Sequence, residues 1–254
     1  MKIGIHITTY NRSIFTDQCL KSFLWSKPDN TEILVIDNNS TDGTIELLKK
    51  YEKNNQIKVI YNNENKGLGY AVNQGWKILS ETCDILGWIN NDFLAEPLWF
   101  ENVLSCFEEL NLDYIVGTVR PDREQIKEIT KTGKGKYNTI NDVGAAYFLL
   151  TKHFKNGVFP SPQPFKKGYT GPGPEFHNLL IKRKLKGVRL AHPGILVRDS
   201  EYSNKNNIQY YNETFGIRSL NKNLNKFRAL EAKGGRRGWI NWNEFLEKYY
   251  PGEK

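Results

Sequence analysis

Apolar and polar positions alternate along the first half of the chain with two different periods. Lys2 to Thr8 is rich in Ile, alternates as a buried strand does, and ends at the turn-prone Thr9-Tyr10-Asn11-Arg12. Phe15, Cys19, Leu20, Phe23 and Leu24 then fall at helical spacing, and the pattern stops at Lys27-Pro28. Glu32 to Ile36 reads as a second buried strand, running into Asp37-Asn38-Asn39-Ser40; the start signal Ser40-Thr41-Asp42-Gly43 opens a helix to about Lys53. Ile57 to Tyr61 predicts a third strand, Asn62 to Gly69 a loop and Tyr70 to Leu79 a helix. Ile85 to Ile89 predicts a fourth strand ending in Asn90-Asn91-Asp92. Strands alternating with helices imply an α/β fold, a mostly parallel sheet covered on both faces.

The alternation fades from Tyr114. Tyr114 to Val119 and Val143 to Leu150 have strand character, with a charged excursion from Pro121 to Lys136 between them. Phe159 to Pro174 holds five prolines and reads as a loop. Glu175 to Lys186 predicts a helix ended by Gly187, and Leu190 to Val197 a last strand. No internal repeat is evident.

At 254 residues with 39% hydrophobic side chains, the chain can bury a substantial core, which excludes a disordered protein or a stapled miniature. Its apolar runs fall well short of the ~20 residues of a membrane-spanning helix, and the N-terminus lacks the features of a signal peptide, so a cytoplasmic location is expected. Cys19, Cys83 and Cys106 are odd in number and widely spaced; neither a disulfide framework nor a zinc site is expected, and each reads as a small buried residue. His6, inside the first strand, and His153 read as packed core residues. The net charge of +8 is unevenly distributed: residues 1 to 119 carry 10 basic and 16 acidic side chains, whereas residues 120 to 254 carry 26 and 12. An anionic partner should meet the second half.

In an open alternating sheet, ligands bind beyond the carboxyl ends of the strands. Thr8-Thr9-Tyr10-Asn11, Asp37-Asn38-Asn39-Ser40 and Asn90-Asn91-Asp92 all follow strands and should converge there. An aromatic ring, a carboxylate and an Asn/Asp cluster suit a nucleotide and a divalent cation.

Four runs carry a resemblance: Ile7-Thr8-Thr9-Tyr10-Asn11-Arg12; Val35 to Thr44; Asn65-Lys66-Gly67-Leu68-Gly69-Tyr70-Ala71-Val72-Asn73-Gln74-Gly75; and Ile89-Asn90-Asn91-Asp92. Their order and spacing resemble family-2-type inverting glycosyltransferases with the GT-A fold, over roughly residues 3 to 200. The resemblance implies a GT-A domain at 1–200, made of a nucleotide-sugar half (1–119) and an acceptor half (120–200), with a basic aromatic C-terminal extension (201–254) packed on it. It implies that Thr8 and Tyr10 hold the nucleobase, that Asp37 binds base or ribose, and that Asn11, Asn39, Asn90 and Asn91 belong to the same donor site. Asn65, Gly67 and Asn73 would shape the donor loop beside sugar and phosphates.

Asn90 and Asp92 stand at the ends of the family's Asp-x-Asp element, with Asp92 as a ligand of Mn²⁺ or Mg²⁺ and Asn90 removing one charge. Glu175, in Gly171-Pro172-Gly173-Pro174-Glu175-Phe176, would be the general base. Asp199 takes the place of the histidine that completes the metal site, and Tyr211 to Gly216 weakly resembles a segment closing over the donor. The resemblance thus implies inverting transfer from a nucleotide-sugar, a UDP-sugar by expectation, to an acceptor hydroxyl.

The basic run Lys182-Arg183-Lys184, Lys186 and Arg189, with the tail Lys233 to Trp239, is expected on the acceptor side. It favours an anionic acceptor: a hydroxylated base in DNA, an acidic glycan, or a lipid-linked acceptor met by peripheral contact with a membrane. The second class of function compatible with the sequence is non-catalytic nucleic-acid binding on a degenerate scaffold of the same fold.

Overall fold

The computed structural model describes residues 1–118, 129–131, 136–138, 146–154, 173–190, 194–198, 239–240 and 242–253. The first half builds β1 (Ile3–Thr9), α1 (Ser13–Ser26), β2 (Thr31–Asp37), α2 (Thr44–Lys53), β3 (Lys58–Tyr61), α3 (Leu68–Leu79) and β4 (Ile85–Asn90). The four strands follow the predicted runs to within a residue or so at each end. They are parallel, in the order β3-β2-β1-β4.

The chain continues through β5 (Phe93–Ala95), α4 (Trp99–Leu110), β6 (Tyr114–Val116), β7 (Ile129–Lys131), β8 (Lys136–Asn138) and β9 (Tyr147–Leu150). It ends with α5 (Gly173–Lys182), β10 (Gly187–Leu190), β11 (Ile195–Arg198), β12 (Trp239–Ile240) and α6 (Trp242–Tyr249). β9 lies antiparallel between β4 and β6, and β10 runs parallel to β6 and antiparallel to β8, so the main sheet is extended by β9-β6-β10-β8-β7. β5, β11 and β12 form a separate small sheet.

Side-chain alternation divides the core in two. Ile5, Ile7, Val35, Ile85 and Ile89 face α1, α2 and α4, meeting Cys19, Phe23, Leu48, Trp99 and Val103. Leu34, Ile36, Leu86 and Trp88 face α3 and α5, meeting Val72, Trp76, Phe176 and Leu180. Both faces of β1, β2 and β4 are therefore buried, which is why those strands read as nearly unbroken apolar runs. A third cluster joins Leu94 and Leu196 of the small sheet to Phe245 of α6, where Trp242 stacks on Trp25 at 5.9 Å.

Three expectations are corrected. The helix of the second half ends at Lys182, not Lys186: Lys184 adopts the left-handed conformation (φ 56°), with Lys184 N–H donating to Ile181 O and Leu185 N–H to Leu180 O. That is a helix-ending turn made without glycine, and Gly187 instead opens β10. The stretch expected as a single strand from Leu190 to Val197 is split between β10 in the main sheet and β11 in the small one. His153 is not a core residue; it is half-buried, with Nε2 2.7 Å from Asp113 Oδ1. The three cysteines are buried and free as expected, and His6 is fully buried. Among the described residues no helix is long and apolar enough to cross a membrane.

Candidate functional site

Because β1 to β4 are parallel, their carboxyl ends share one edge, and the register fixes who meets whom. Thr9 lies opposite Asp37, Thr8 opposite Asn90, and Asp37 opposite Tyr61. The three polar clusters predicted to converge do so. Thr8, two residues from the apolar-face His6, and Asn90, two from Trp88, lie on the α3 face; Thr9 and Asp37 lie on the α1 face.

The loops after β1 and β2 are tied to each other by Ser40. Its backbone N–H and hydroxyl donate to the two carboxylate oxygens of Asp37 (3.0 and 2.5 Å), while its oxygen accepts from Asn11 N–H at 2.7 Å. Asn11 Oδ1 accepts in turn from Thr41 N–H, and Asp42 accepts from Ser13 N–H and Thr44 N–H, so it joins the starts of α1 and α2. Asp37 is fully buried beneath this knot, and burial pushes its carboxyl above the ordinary range against the opposing bonds from Ser40. Asn11, Arg12 and Asn39 all have positive φ (57°, 71° and 66°), a conformation costing roughly 1 kcal/mol or more for a residue with a side chain. Tyr10 is half-buried within the knot and Asn39 exposed on it.

Asn91 is buried and its amide is occupied inward: Nδ2 donates to Thr16 Oγ1 (3.0 Å) and Thr9 Oγ1 (3.3 Å), and Oδ1 accepts from Arg12 Nη1 at 3.4 Å. Its neighbours behave otherwise. Asn90 Oδ1 and Asp92 Oδ1 are both buried without a hydrogen-bond partner, a condition that costs about 1–3 kcal/mol for each group in a folded chain. Arg12 Nη2 lies 3.6 Å from Asp92 Oδ2, and its guanidinium sits 4.6 Å over the Phe15 ring. Cys19, read from the sequence as inert packing, also donates its thiol to Asn90 O at 3.6 Å.

Two orphaned hard oxygens at one strand end fit an oxygen-loving divalent ion that keeps its remaining positions for water and phosphate. Among the described residues there is no group of three His, Cys, Asp or Glu that could hold a metal. Asp199, the third expected ligand, lies outside the described residues, as do Tyr211 to Gly216.

The donor loop before α3 is shaped as the sequence suggests. Asn65 Oδ1 accepts from Gly67 N–H at 3.0 Å, and Gly67 takes φ 85°, which a side chain would strain. Gly67 O accepts from Asn38 Nδ2, tying this loop to the end of β2, while Asn62 and Gln74 exchange paired amide bonds at 3.1 Å. Asn73 is half-buried one helical turn into α3, whose N-terminus points to the site edge.

α5 leads into β10, which runs parallel to β1 through β6, so its N-terminus is also at this edge. Phe176 fixes it there: the ring is buried 5.7 Å from Trp76, 6.1 Å from Trp88 and 4.9 Å from Tyr147. Glu175 immediately precedes this anchor, in the first turn of α5. β11 pairs antiparallel with β5, which starts just after Asp92, and so carries the chain back toward that residue before Asp199.

The basic run does not lie where it was expected. Lys182, Arg183, Lys184 and Lys186 lie between the end of α5 and the start of β10, at the amino edge of the sheet, opposite the site. Arg189 is buried, donating from Nη1 to Thr118 O and Oγ1. The tail Lys233 to Gly238 is outside the described residues. Sequence reasoning noticed Arg12 and Ser40 only as turn residues; left-handed backbone at two successive non-glycine positions leaves no compositional mark.

Against known proteins, the model of the family described as "Glycosyl transferase family 2" matches residues 4–186. The chain is 29% identical over 110 residues to the validoxylamine A glucosyltransferase of Streptomyces hygroscopicus subsp. limoneus, which covers 41% of this chain and 23% of that protein. Among solved structures, S. aureus TarS in complex with UDP-GlcNAc superposes with a TM-score of 0.60 at 16% identity, covering 77% of this chain and 57% of that one. The mannosyltransferase PcManGT of Pyrobaculum calidifontis, in complex with GDP-Man and Mn²⁺, gives 0.59 at 15%, covering 75% and 55%. The chain spans about a third or less of the curated relatives it matches first. With the family match covering most of its length and the sheet arranged as a GT-A fold, the chain belongs to glycosyltransferase family 2.

Proposed function

We propose that the protein transfers a sugar from a nucleotide-sugar, a UDP-sugar first among them, to an acceptor hydroxyl with inversion at the anomeric carbon. The observation that carries this reading is the pair of buried, unpartnered oxygens, Asn90 Oδ1 and Asp92 Oδ1, at the edge where Thr8, the donor loop and the first turn of α5 meet. What sets them apart from other buried atoms without partners is that they are two hard oxygens, two residues apart at one strand end, where a bound cation and diphosphate would satisfy both. The complexes of TarS with UDP-GlcNAc and of PcManGT with GDP-Man and Mn²⁺ support the same reading.

In this reading Asp92, Asn90 and Asp199 hold Mn²⁺ or Mg²⁺, which supplies positive charge against the diphosphate leaving group. Thr8, Tyr10 and Asn39 contact the nucleoside, with Asp37, Asn11 and Asn91 acting from beneath by holding the loops. Asn65, Gly67 and Asn73 shape the side of the site next to sugar and phosphate, where the N-terminus of α3 favours negative charge. Glu175 takes the proton from the acceptor hydroxyl as that oxygen attacks the anomeric carbon from the face opposite the diphosphate. Proton and leaving group depart on opposite sides, and no covalent glycosyl-enzyme forms.

The described basic cluster no longer argues for an anionic acceptor, because it sits at the other edge of the sheet. That part of the reading rests on the tail from Lys233 alone. The test is nucleoside diphosphate release from UDP-sugars and GDP-mannose with Mn²⁺, without acceptor and with acidic glycans, lipid-linked acceptors or DNA carrying hydroxymethylated pyrimidines. Acceptor-stimulated release with a product of inverted configuration, read by NMR of the anomeric proton, is expected. Absence of release and of binding for every donor overturns the reading.

A further inference from the structure

Arg12 brings a positive charge beside Asp92, the one carboxylate of the strand-end run Asn90-Asn91-Asp92. It is the N-cap residue of α1, and its carbonyl accepts from Phe15 N–H (3.1 Å) and from Thr16 N–H (3.0 Å), so the backbone is fixed at φ 71°, ψ 49°. The preceding Asn11 is fixed by Ser40 and Thr41. This strained pair turns the long side chain inward. The Arg12 side chain is only 8% exposed, its guanidinium covers the Phe15 ring, and it reaches Asn91 Oδ1 at 3.4 Å and Asp92 Oδ2 at 3.6 Å.

The ion pair with Asp92 is long for a charge-assisted hydrogen bond, which normally closes to about 2.7–2.9 Å, and it leaves Asp92 Oδ1 without a hydrogen bond. It is therefore an electrostatic pairing that another cation can displace. Arg12 offsets the charge of Asp92, and Asn90 adds none at the other end of the run. A bare divalent ion approaching Asp92 meets both the attractive carboxylate and the repulsive guanidinium, in surroundings that screen neither well. A diphosphate reverses the balance, because its oxygens attract the ion and the guanidinium together.

We propose that Arg12 is the resident counter-ion of Asp92 and makes divalent-metal binding conditional on a nucleoside diphosphate. It is a positioning residue, acting through Asp92, and the inference rests on the nucleotide-sugar reading above. Linkage then requires the metal to raise nucleotide affinity by the same factor that the nucleotide raises metal affinity.

The experiment measures free Mn²⁺ by electron paramagnetic resonance while the full chain is titrated, with and without saturating UDP. For the wild type, Mn²⁺ should bind at least tenfold more tightly with UDP; equal affinity in the two conditions overturns the proposal without recourse to any variant. Arg12→Gln should strengthen Mn²⁺ binding in the absence of UDP by about tenfold, equivalent to ~1.4 kcal/mol, and shrink the gain on adding UDP. Arg12→Lys, which keeps the charge, should stay within about threefold of the wild type. Thermal melting by circular dichroism shows that each variant is folded. Unchanged or weaker UDP-free Mn²⁺ binding in folded Arg12→Gln overturns the role of Arg12 while leaving the glycosyltransferase reading intact. A wild type that binds neither Mn²⁺ nor UDP removes that reading and this one with it.

Discussion

The carboxyl and amino edges of the main sheet treat polar groups in opposite ways. At the carboxyl edge Asn90 Oδ1 and Asp92 Oδ1 are buried without partners, and Asn11, Arg12 and Asn39 hold left-handed backbone. At the amino edge Glu32 pairs with Lys2 and Lys58 at 2.9 and 2.7 Å, and Asp113 accepts from His153 and from Lys186 N–H. These bonds hold the Asp113 carboxyl below its ordinary range despite partial burial. The carboxyl edge leaves two neighbouring hard oxygens unsatisfied, as a binding site does; at the amino edge these carboxylates are already paired, although Asn55, Asn111 and Lys184 there hold left-handed backbone too. Charge count along the chain pointed to the wrong edge because it does not record on which side of the sheet a cation falls: Lys182 to Lys186 lie in a helix-to-strand connection, at the amino ends of the strands.

The largest effect should come from Asp92. Asp92→Ala removes the carboxylate that faces both Arg12 and the proposed ion, and kcat/KM should fall by roughly a thousandfold, or ~4 kcal/mol. Its melting temperature should fall only modestly, because the loss of a counter-ion for the largely buried Arg12 is partly offset by removal of a buried oxygen with no partner. An Asp92→Ala protein that turns over normally would make the two edges equivalent and end the comparison.

Next in size is a packing change behind the same edge. A Cβ on Gly75 of α3 would lie 2.3 Å from His6 Nδ1, and the His6 ring is enclosed, with Nε2 2.7 Å from Thr8 Oγ1. Gly75→Ala should therefore destabilise the fold by about 2 kcal/mol, seen as a lower urea midpoint. Because the ring must move against Thr8, donor affinity should fall as well. Loss of stability with unaltered donor binding would show that β1 does not transmit strain to the site.

Much of this edge was legible beforehand, and the reason is physical. β1, β2 and β4 are buried on both faces, so Ile, Val and Leu run almost without interruption until the polar residues that mark each strand end. The convergence of Thr8, Asp37 and Asn90 follows from parallel order alone. β5 and α4 went unread, although Trp99, Phe100, Val103, Cys106 and Phe107 carry a helical spacing that would have disclosed α4. A three-residue strand such as β5 has too few positions to show a period. The split between β10 and β11 depends on Glu96, whose N–H donates to Gly194 O and whose carboxylate accepts from Gly194 N–H and from Tyr249. Partners that far apart in sequence leave no local trace. Nor could spacing show that the Asn91 amide is taken up by Thr9 and Thr16 while Asn90 and Asp92 keep oxygens without partners, since Thr9 and Thr16 lie more than seventy residues away in sequence.

A smaller effect separates the edges by pH. Burial lowers the His6 pKa to about 3, against 6.5 when unfolded, so below pH 6.5 the unfolded chain binds a proton that the folded chain does not. The contribution of neutral His6 is fully present above pH 6.5 and is lost as pH falls toward 3, by up to ~1.4 kcal/mol per pH unit. Urea unfolding at pH 7.5 and 5.5 should show this slope, and His6→Gln should flatten it. A slope unchanged in His6→Gln would place the acid sensitivity elsewhere.

The smallest effect is expected at the amino edge, and it is the sharpest test of what its charge is for. Lys152 is 63% exposed on its side chain and lies 3.9 Å from Asp113 Oδ1, while Arg183 is exposed and donates from Nη1 to His153 O. Exposed pairs of this kind contribute about 0–1 kcal/mol, because water already solvates both members. Lys152→Ala and Arg183→Ala should each shift stability by less than about 0.5 kcal/mol and leave donor kinetics unchanged. Acceptor kinetics decide the rest: across the sheet from Asp92 these cations cannot touch the reacting hydroxyl, so KM for any acceptor of ordinary size should also be unaltered. A severalfold rise in acceptor KM in either variant would mean that the acceptor is a polymer or surface long enough to span both edges, and the cations of this edge would then belong to the site after all.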